Sequence, residues 1–314
     1  MRRSSELPET LPSAFTVALA SDSGVGLGRL RGPDLGRPFH GVRTRAPLPP
    51  DAELVELCRT YAPRMSEHQF FSHETALALC GFPMPTWPYR PAIHVSTHRP
   101  HREPRTAGVV GHRLQRRDPA VRLTGDGLRV EHPVRAWRQC ATRWSLDDLI
   151  AAADALAADA VSGASLDALR DEIAVMGDTR GGLLARALVE ARDGVRSPRE
   201  TRLRLLLIRA GLPEPRINWV LRDRAGVFIA ELDLAYPRWR VAPEYDGRVH
   251  ADDPVQFARD ADRWEAIRRA GWHHVRCLNH HVRGRGDTAV ALVARALVEA
   301  GWHPPQSVSR SLLP

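Results

Sequence analysis

Hydrophobic and polar positions divide the chain into stretches of different character. Residues 1–130 combine Pro, Gly and His with short apolar runs, which predicts short strands and turns with one or two helices. Residues 131–196 are rich in Ala and Leu at helical spacing and predict a helical connector. Residues 197–303 alternate between helical and strand periods and predict a mixed domain. The remaining residues, 304–314, are expected to form a disordered tail.

Residues 197–303 carry the clearest signals for individual elements. A helix begins at Ser197, because this capping residue is followed by Pro198 and, three residues after the cap, by Glu200. Three strand-like runs come next: INWVLRD, VFIAELDLAY and RWRVAPEYDG. They are followed by a helix from about Pro254 to Ala270, the strand-like run WHHVRCL and a final helix, DTAVALVARALVEAG. This order predicts an α/β (α+β) fold whose mixed β-sheet is flanked by helices.

The charge of the chain bears on its partners. All 45 basic side chains are arginine, the net charge is +8 and the isoelectric point is about 10.2. Such a surface attracts polyanions, and guanidinium groups suit phosphate through forked hydrogen bonds. A GC-rich genome also produces arginine-rich proteins, so charge alone favours nucleic acid only moderately over other partners. We expect DNA as the partner.

Cysteine spacing and hydropathy argue against other classes of protein. The four cysteines, Cys58, Cys80, Cys140 and Cys277, form no C-x-x-C pair, which argues against a disulfide framework and a cysteine-ligated zinc site. No run approaches the ~20 apolar residues that cross a bilayer. No apolar core follows the first arginines, as it does in a secretion signal. We expect a cytoplasmic protein with no membrane partner.

Two acids in the strand-like runs are candidates for a metal site. Alternation along VFIAELDLA places Glu231 and Asp233 on one face, and the turn YPRW then brings the strand of Glu244 alongside. Two neighbouring carboxylates repel each other unless a cation or a proton intervenes, and Mg²⁺ is the commonest hard cation for such a site. The alternative is that Asp233 and Glu244 are solvated charges on an exposed sheet face. For Glu231 we favour that alternative.

The whole segment resembles the very-short-patch-repair-like endonucleases of the PD-(D/E)XK superfamily. Order, spacing and residue types agree over about residues 197–300, through SPRETRLRLLLIRAGLPEP, DRAGVFIAELDLAYPRWRVAPEYDGRVH and AGWHHVR. The resemblance implies a restriction-endonuclease-like fold that hydrolyses DNA with Mg²⁺ or Mn²⁺, and it makes Asp233 and Glu244 the metal-holding acids. The other matched positions are the helix acid Glu200, the signature residues Asp246, Gly247 and His250, and the helix residues Gln256, Asp260 and Arg263.

Not every role that the resemblance implies is filled by the usual residue type. Asp246 stands where the superfamily usually has a lysine, so His250 is the nearest candidate for proton transfer. Asp246 then either binds metal or orients His250. Glu200 acts in the site, caps its helix with Ser197, or does both. Pro243 removes one ladder donor, which is typical of an edge strand or a bulge.

Asp260 and Arg276 each have a structural and a functional interpretation. Asp260 falls on the apolar side of its helix, where it either pairs with Arg263 or points into the site. Arg276, on the following strand, either faces a phosphate or forms a plain salt bridge.

The first stretch resembles a second family. The runs AFTVALASDSGVGLGRLRG and PFHGVRTR are similar to the amino-terminal part of the abortive-infection type IV antitoxin-like proteins, over residues 10 to about 140. This resemblance implies a winged helix-turn-helix and a toxin–antitoxin or defence-system partner; the alternative is a degenerate remnant. His94, His98 and His101 give the spacing H-x3-H-x2-H, which can bind zinc, although the surrounding Arg and Pro favour a surface loop.

The sequence therefore predicts an endonuclease-like protein with an antitoxin-like region, a helical connector and a nuclease domain. The alternative function is a DNA-binding regulator or antitoxin-like protein whose nuclease fold is catalytically inactive.

Overall fold

A computed structural model describes residues 6–85, 92–246 and 254–305; for 254–258 it describes the backbone alone. The chain forms two compact units. The first unit comprises residues 1–149 and 168–184, and the second comprises residues 150–167 and 185–314. Helices and mixed sheets occur in the described parts, which confirms the α/β (α+β) class. The helices of the predicted connector are divided between the two units.

Ten α-helices lie in the described residues. Their bounds are α1 Val17–Asp22, α2 Leu54–Tyr61, α3 His73–Leu79, α4 Pro133–Cys140, α5 Leu146–Ala158, α6 Leu166–Met176, α7 Leu183–Glu190, α8 Pro198–Arg209, α9 Pro254–Arg269 and α10 Asp287–Glu299. Residues 1–130 thus hold three helices where one or two were expected, because helices of six to eight residues are shorter than the window of about 11–18 residues in which a helical period is recognised.

Eleven strands accompany them in the same ranges. Their bounds are β1 Ala14–Thr16, β2 Val42–Thr44, β3 Phe70–Phe71, β4 Ile93–His98, β5 Val109–Leu114, β6 Val121–Leu123, β7 Arg129–Glu131, β8 Arg216–Arg222, β9 Phe228–Ala235, β10 Val241–Asp246 and β11 His273–Leu278. The strands and helices expected after residue 197 are therefore confirmed to within a few residues.

The first unit is organised around a five-stranded mixed sheet of order β5-β4-β3-β7-β6. Strands β4 and β5 are parallel, as are β3 and β7, whereas β3–β4 and β6–β7 are antiparallel. Phe71 and Val95 are fully buried in this sheet. Trp137 on α4 is also fully buried, and its indole nitrogen donates to the carbonyl of Leu149 over 2.9 Å.

The second unit has helices on both faces of its strands. Val241 on β10 packs in a cluster with residues of α8 and α10, including Leu207 and Val293. The next residue, Ala242, packs in a second cluster with Ile267 of α9. Because consecutive residues of a strand face opposite sides, α8 and α10 cover one face and α9 covers the other.

A buried ion pair ties α5 to α8 within the second unit. Asp154 and Arg204 are each 1% exposed and lie 2.8 Å apart, and the Thr201 hydroxyl also donates to Asp154 over 2.8 Å. The backbone N–H of Arg192 supplies a further hydrogen bond to the same carboxylate. Burial raises the pKa of Asp154 despite its cationic partner. These contacts satisfy a charge that is otherwise costly to bury.

The predicted tail and the expected lack of a membrane-spanning segment concern the end of the chain and the apolar character of its helices. Most of the predicted tail, from residue 306 onward, lies outside the described residues. In the described part of the chain, no helix combines the length and apolar character needed to cross a membrane.

Candidate functional site

The two candidate acids are brought together by a hairpin between β9 and β10. Tyr236 and Val241 form an antiparallel bridge, with the Tyr236 N–H donating to the Val241 carbonyl over 2.8 Å. Continuing that register away from the turn sets Asp233 opposite Glu244, as the spacing around YPRW predicts. The pairing of β9 with β10 is confirmed at this bridge.

Pro243 explains why the ladder between β9 and β10 is so short. Alternate residues of a strand direct their N–H groups to the same neighbour, so residue 243 is the next after Val241 to donate to β9. Proline has no N–H, and the regular pairing stops there. On its other side β10 pairs in parallel with β11 over six residues, with Glu244 opposite Arg276. Pro243 thus lies between two neighbouring strands, not on an edge.

Asp233 is a half-buried acid in an unfavourable electrostatic environment. Burial, together with the negative charges of Glu244 and Glu200, raises the pKa of its carboxyl to about 7. Among the described residues, no hydrogen bond or ion pair reaches the Asp233 side chain, and only the charge of Arg263 lowers its pKa. An added cation would stabilise the ionised carboxylate further.

Glu244, in contrast, is held by two neighbouring side chains. Nη1 of Arg263 on α9 lies 2.8 and 2.9 Å from its two carboxylate oxygens, and Nε2 of His274 on β11 lies 2.8 Å from Oε2. Burial raises the pKa of Glu244, but the hydrogen bonds of His274 and Arg263 outweigh burial and keep the pKa below its ordinary value. Glu244 is therefore ionised and fixed in position.

The role of Arg263 follows from its second contact. Its Nη2 donates to the backbone carbonyl of Glu231 over 2.8 Å, so the guanidinium links β9 to β10 beneath α9. Asp260, one turn earlier on α9, is partly buried. The Glu231 carboxylate pairs with Arg196 over 2.8 Å, so its charge is neutralised by the chain itself.

Asp246 and Arg276 form the salt bridge that was one of the two interpretations of Arg276. The Arg276 guanidinium also lies over the ring of Trp264 on α9, with its carbon 3.8 Å from the ring centroid. This arrangement combines charge pairing with a cation–π contact. Arg276 remains 42% exposed at its side chain, so it is accessible from solvent.

Glu200 performs the capping role and also influences the site. Its N–H donates to the Ser197 hydroxyl oxygen over 3.2 Å, while its carboxylate accepts from the Arg196 N–H over 3.1 Å. The return half of the capping box thus reaches one residue before the cap. The capping interpretation is confirmed, and the charge of Glu200 also raises the pKa of Asp233; a role of Glu200 in the site stays a prediction.

Three of the predicted positions fall outside what the structure describes: Gly247, His250 and the side chain of Gln256. His274, in contrast, contacts Glu244 but was not among the predicted site residues. The signal available for it was the alternation in WHHVRCL, which puts His274 on the same strand face as Arg276.

The zinc spacing H-x3-H-x2-H does not assemble into one cluster. His98 directs Nδ1 to the Gln115 carbonyl at 2.8 Å, and the ring of His101 stacks on His68 with centroids 3.6 Å apart. His94 instead meets His73 and His112. The surface-loop interpretation is wrong for His94, which is fully buried on β4 because that run forms an interior strand.

Comparisons with known proteins add sequence relatives but no function. Two proteins of Mycobacterium tuberculosis, from strains CDC 1551 and H37Rv and both described as uncharacterized, are each 30% identical to this chain over 133 residues. The match covers 42% of this chain and 49% of each relative, so the chain spans about half the length of the curated relatives it matches. No family model matches the chain.

Proposed function

We propose that this chain is a metal-dependent endonuclease that hydrolyses DNA phosphodiester bonds, with Asp233 and Glu244 holding Mg²⁺ or Mn²⁺. One observation carries the proposal. Two half-buried carboxylates lie on paired strands, and repulsion from Glu244 helps to keep the pKa of Asp233 near neutrality. A divalent cation relieves that repulsion by the electrostatics that raise the pKa.

The donor set fits a hard cation. Both acids offer carboxylate oxygens, which Mg²⁺ and Mn²⁺ prefer, and Mg²⁺ sites commonly use one or two protein carboxylates together with water and substrate phosphate. The Asp233 carboxyl receives no hydrogen bond from the described residues, so its oxygens are available. Glu244 retains lone pairs beyond those used by Arg263 and His274, because a carboxylate offers about four acceptor positions.

A bound cation would supply charge neutralisation and an activated water for hydrolysis. The chain's own residues have separate tasks. Arg263 and His274 orient Glu244. The contact of Arg263 with the Glu231 carbonyl fixes the distance of Glu244 from β9. Arg276 holds Asp246 and presents a partly exposed positive charge beside it. The net charge of +8 favours the approach of a polyanionic substrate.

Membership of the very-short-patch-repair-like nucleases belongs to the same proposal. The order helix, three strands, helix, strand, helix over 198–299 is compatible with that family. An antitoxin-like role for the first unit, with a toxin–antitoxin or defence-system partner, is likewise proposed on sequence resemblance.

A second candidate is an inactive nuclease-like domain that binds DNA. The observation favouring it is that Arg263 and His274 together contact both Glu244 oxygens, so this acid is already balanced by the chain. Under this alternative the protein binds DNA in a salt-sensitive manner and does not cleave it with any divalent ion.

Conversion of supercoiled plasmid to nicked and linear forms, with Mg²⁺ or Mn²⁺, tests the proposal. We expect the wild-type protein to cleave, and Asp233→Asn and Glu244→Gln to lose cleavage while still binding DNA. Glu299→Gln is the matched control, because it removes an exposed carboxylate at the end of α10. Binding without cleavage by the wild type supports the inactive alternative, and equal cleavage by all four proteins refutes the site.

A further inference from the structure

Three histidines from three separate elements meet in the first unit. His73 begins α3, His94 lies on β4 and His112 lies on β5. One ring nitrogen from each lies within 4.8 Å of the other two. Within the ranges that the structure describes, no other group of three or more His, Cys, Asp or Glu side chains meets that spacing. We call His73, His94 and His112 the histidine cluster.

The sheet and the backbone fix the positions of these rings. In the parallel pair β4–β5, Ser96 is opposite His112, so His94 is its diagonal neighbour on the same face. His73 has a φ of +52°, a left-handed conformation that few residues other than glycine adopt. Its N–H donates to Gln139 Oε1 over 2.9 Å. Such strain persists only where surrounding contacts hold the residue, and here it places the His73 ring in the cluster.

The rings contact each other closely. His94 Nδ1 lies 2.7 Å from His112 Nε2, and the rings of His73 and His112 stack with centroids 3.8 Å apart. A neutral imidazole has one donor and one acceptor nitrogen, so a proton lies between His94 and His112 in the metal-free protein. A cation can take the place of that proton.

Buried polar groups lie beside ring nitrogens of the histidine cluster. Glu74 is fully buried, with Oε1 3.0 Å from His94 Nε2, and Arg143 lies 3.7 Å from its other oxygen. Ser72 Oγ lies 2.9 Å from His73 Nδ1. A carboxylate at the second nitrogen of a histidine is a recurrent feature of metal sites, because it orients the ring and raises its basicity.

We propose that His73, His94 and His112 bind a divalent transition-metal ion of the zinc class, with Glu74 orienting His94. Imidazole ligands suit zinc, copper, nickel and iron, whereas Mg²⁺ prefers oxygen. Burial lowers the pKa of His73 to about 2 and that of His112 to about 4, which keeps both rings in the neutral form that binds metal. The site is independent of the nuclease proposed for the second unit.

The histidine cluster is partly exposed to solvent on the side of His112. His94 is fully buried and His73 is 7% exposed, whereas His112 is only half-buried. Three histidines with one accessible position are typical of zinc sites that also bind water or a substrate, whereas structural zinc sites usually have four protein ligands.

Zinc binding by the full chain tests the proposal directly. The protein is prepared without a polyhistidine tag, stripped with a chelator and titrated with Zn²⁺ against a chromophoric competitor. We expect one tightly bound Zn²⁺ per chain, loss of that ion in His112→Gln and weakening by roughly 10–100-fold in Glu74→Gln. His101→Gln is the matched control, since it removes an exposed histidine outside the cluster, and it should bind like the wild type.

Two further measurements keep the outcome unambiguous. Co²⁺ in the wild-type protein should give the intense visible absorption of a four-coordinate site; a weak octahedral spectrum overturns the proposal whether or not the variants fold. Asp233→Asn should bind Zn²⁺ like the wild type. If Zn²⁺ is lost in Asp233→Asn and kept in His112→Gln, the ion belongs to the carboxylates and the histidine site is refuted, without any bearing on cleavage.

Discussion

The carboxylate pair and the histidine cluster balance their charges in opposite ways. Glu244 in the second unit is an ionised acid held by an arginine and a histidine, while Asp233 has no hydrogen bond or ion pair with the described residues. In the histidine cluster, burial favours neutral rings, and the buried acid Glu74 stands behind them. Under the two proposals, the donor types correspond to two cation preferences: hard ions at the carboxylates and transition metals at the imidazoles.

The largest expected loss of stability comes from the buried pair of Asp154 and Arg204, which belongs to neither region and serves as a reference for the smaller effects below. Asp154→Asn leaves Arg204 buried without an ionic partner, and we expect a loss of about 3–5 kcal/mol in unfolding free energy. Glu214→Gln removes a partly exposed pair with Arg192 and should cost about 1 kcal/mol or less. Chemical denaturation checks both, and equal losses would contradict the assigned structural role.

Replacing Arg263, the arginine that holds Glu244, should increase the difference between the two regions in their response to Mg²⁺. Arg263→Met leaves this carboxylate with His274 alone, and we expect about 1–3 kcal/mol of destabilisation in metal-free protein. The Mg²⁺-induced rise in melting temperature should then exceed that of the wild type, because an added cation replaces the lost charge. An unchanged response to Mg²⁺ across a thermal-shift series would separate Arg263 from the site.

The pH dependence of stability should have opposite signs in the two regions. The pKa of Asp233 is raised to about 7, so the folded state keeps a proton that the unfolded state releases near pH 4, and stability falls as the pH rises between these values. In metal-free protein, Asp233→Asn should therefore gain stability over the wild type from about pH 5 to about pH 8, by on the order of 1–3 kcal/mol. Chemical denaturation of both proteins at the two pH values measures this gain. A difference in unfolding free energy that does not change with pH would contradict the raised pKa of Asp233.

The smallest effect is expected at the histidine cluster. Burial lowers the pKa of His112 to about 4, so its contribution to stability is present above its ordinary pKa of 6.5 and is lost as the pH falls toward about 4. His112→Gln should change stability by less than about 1 kcal/mol at neutral pH, because the side chain is half-exposed. The variant should lose less stability than the wild type on acidification, and a steeper acid loss would break the comparison.

The same contrast shows what sequence reasoning could reach. Asp233 and Glu244 lie on strands joined by a short turn, so alternation and turn length were enough to predict that they face each other. Ser197 and Glu200 were predictable for the same reason, since a helix cap depends on local spacing.

Contacts between distant segments were not accessible in this way. His274 reaches Glu244 through parallel pairing of β10 with β11, across 30 residues of sequence. The histidine cluster joins His73, at the start of α3, to residues of two strands, and only the fold brings these segments together. The spacing of His94, His98 and His101 was misleading because four residues of an extended strand span about 13 Å, which separates His94 from His98, and the run then leaves the sheet.

The central claim is that Asp233 and Glu244 together hold a divalent cation. Electron paramagnetic resonance of free Mn²⁺ during titration measures this most directly, with every protein carrying His112→Gln so that the histidine cluster does not contribute. We predict one bound Mn²⁺ per chain, displaced by Mg²⁺, lost in Asp233→Asn and in Glu244→Gln and retained in Glu299→Gln. Equal Mn²⁺ binding by all of these proteins, or none by the parent, would contradict the account.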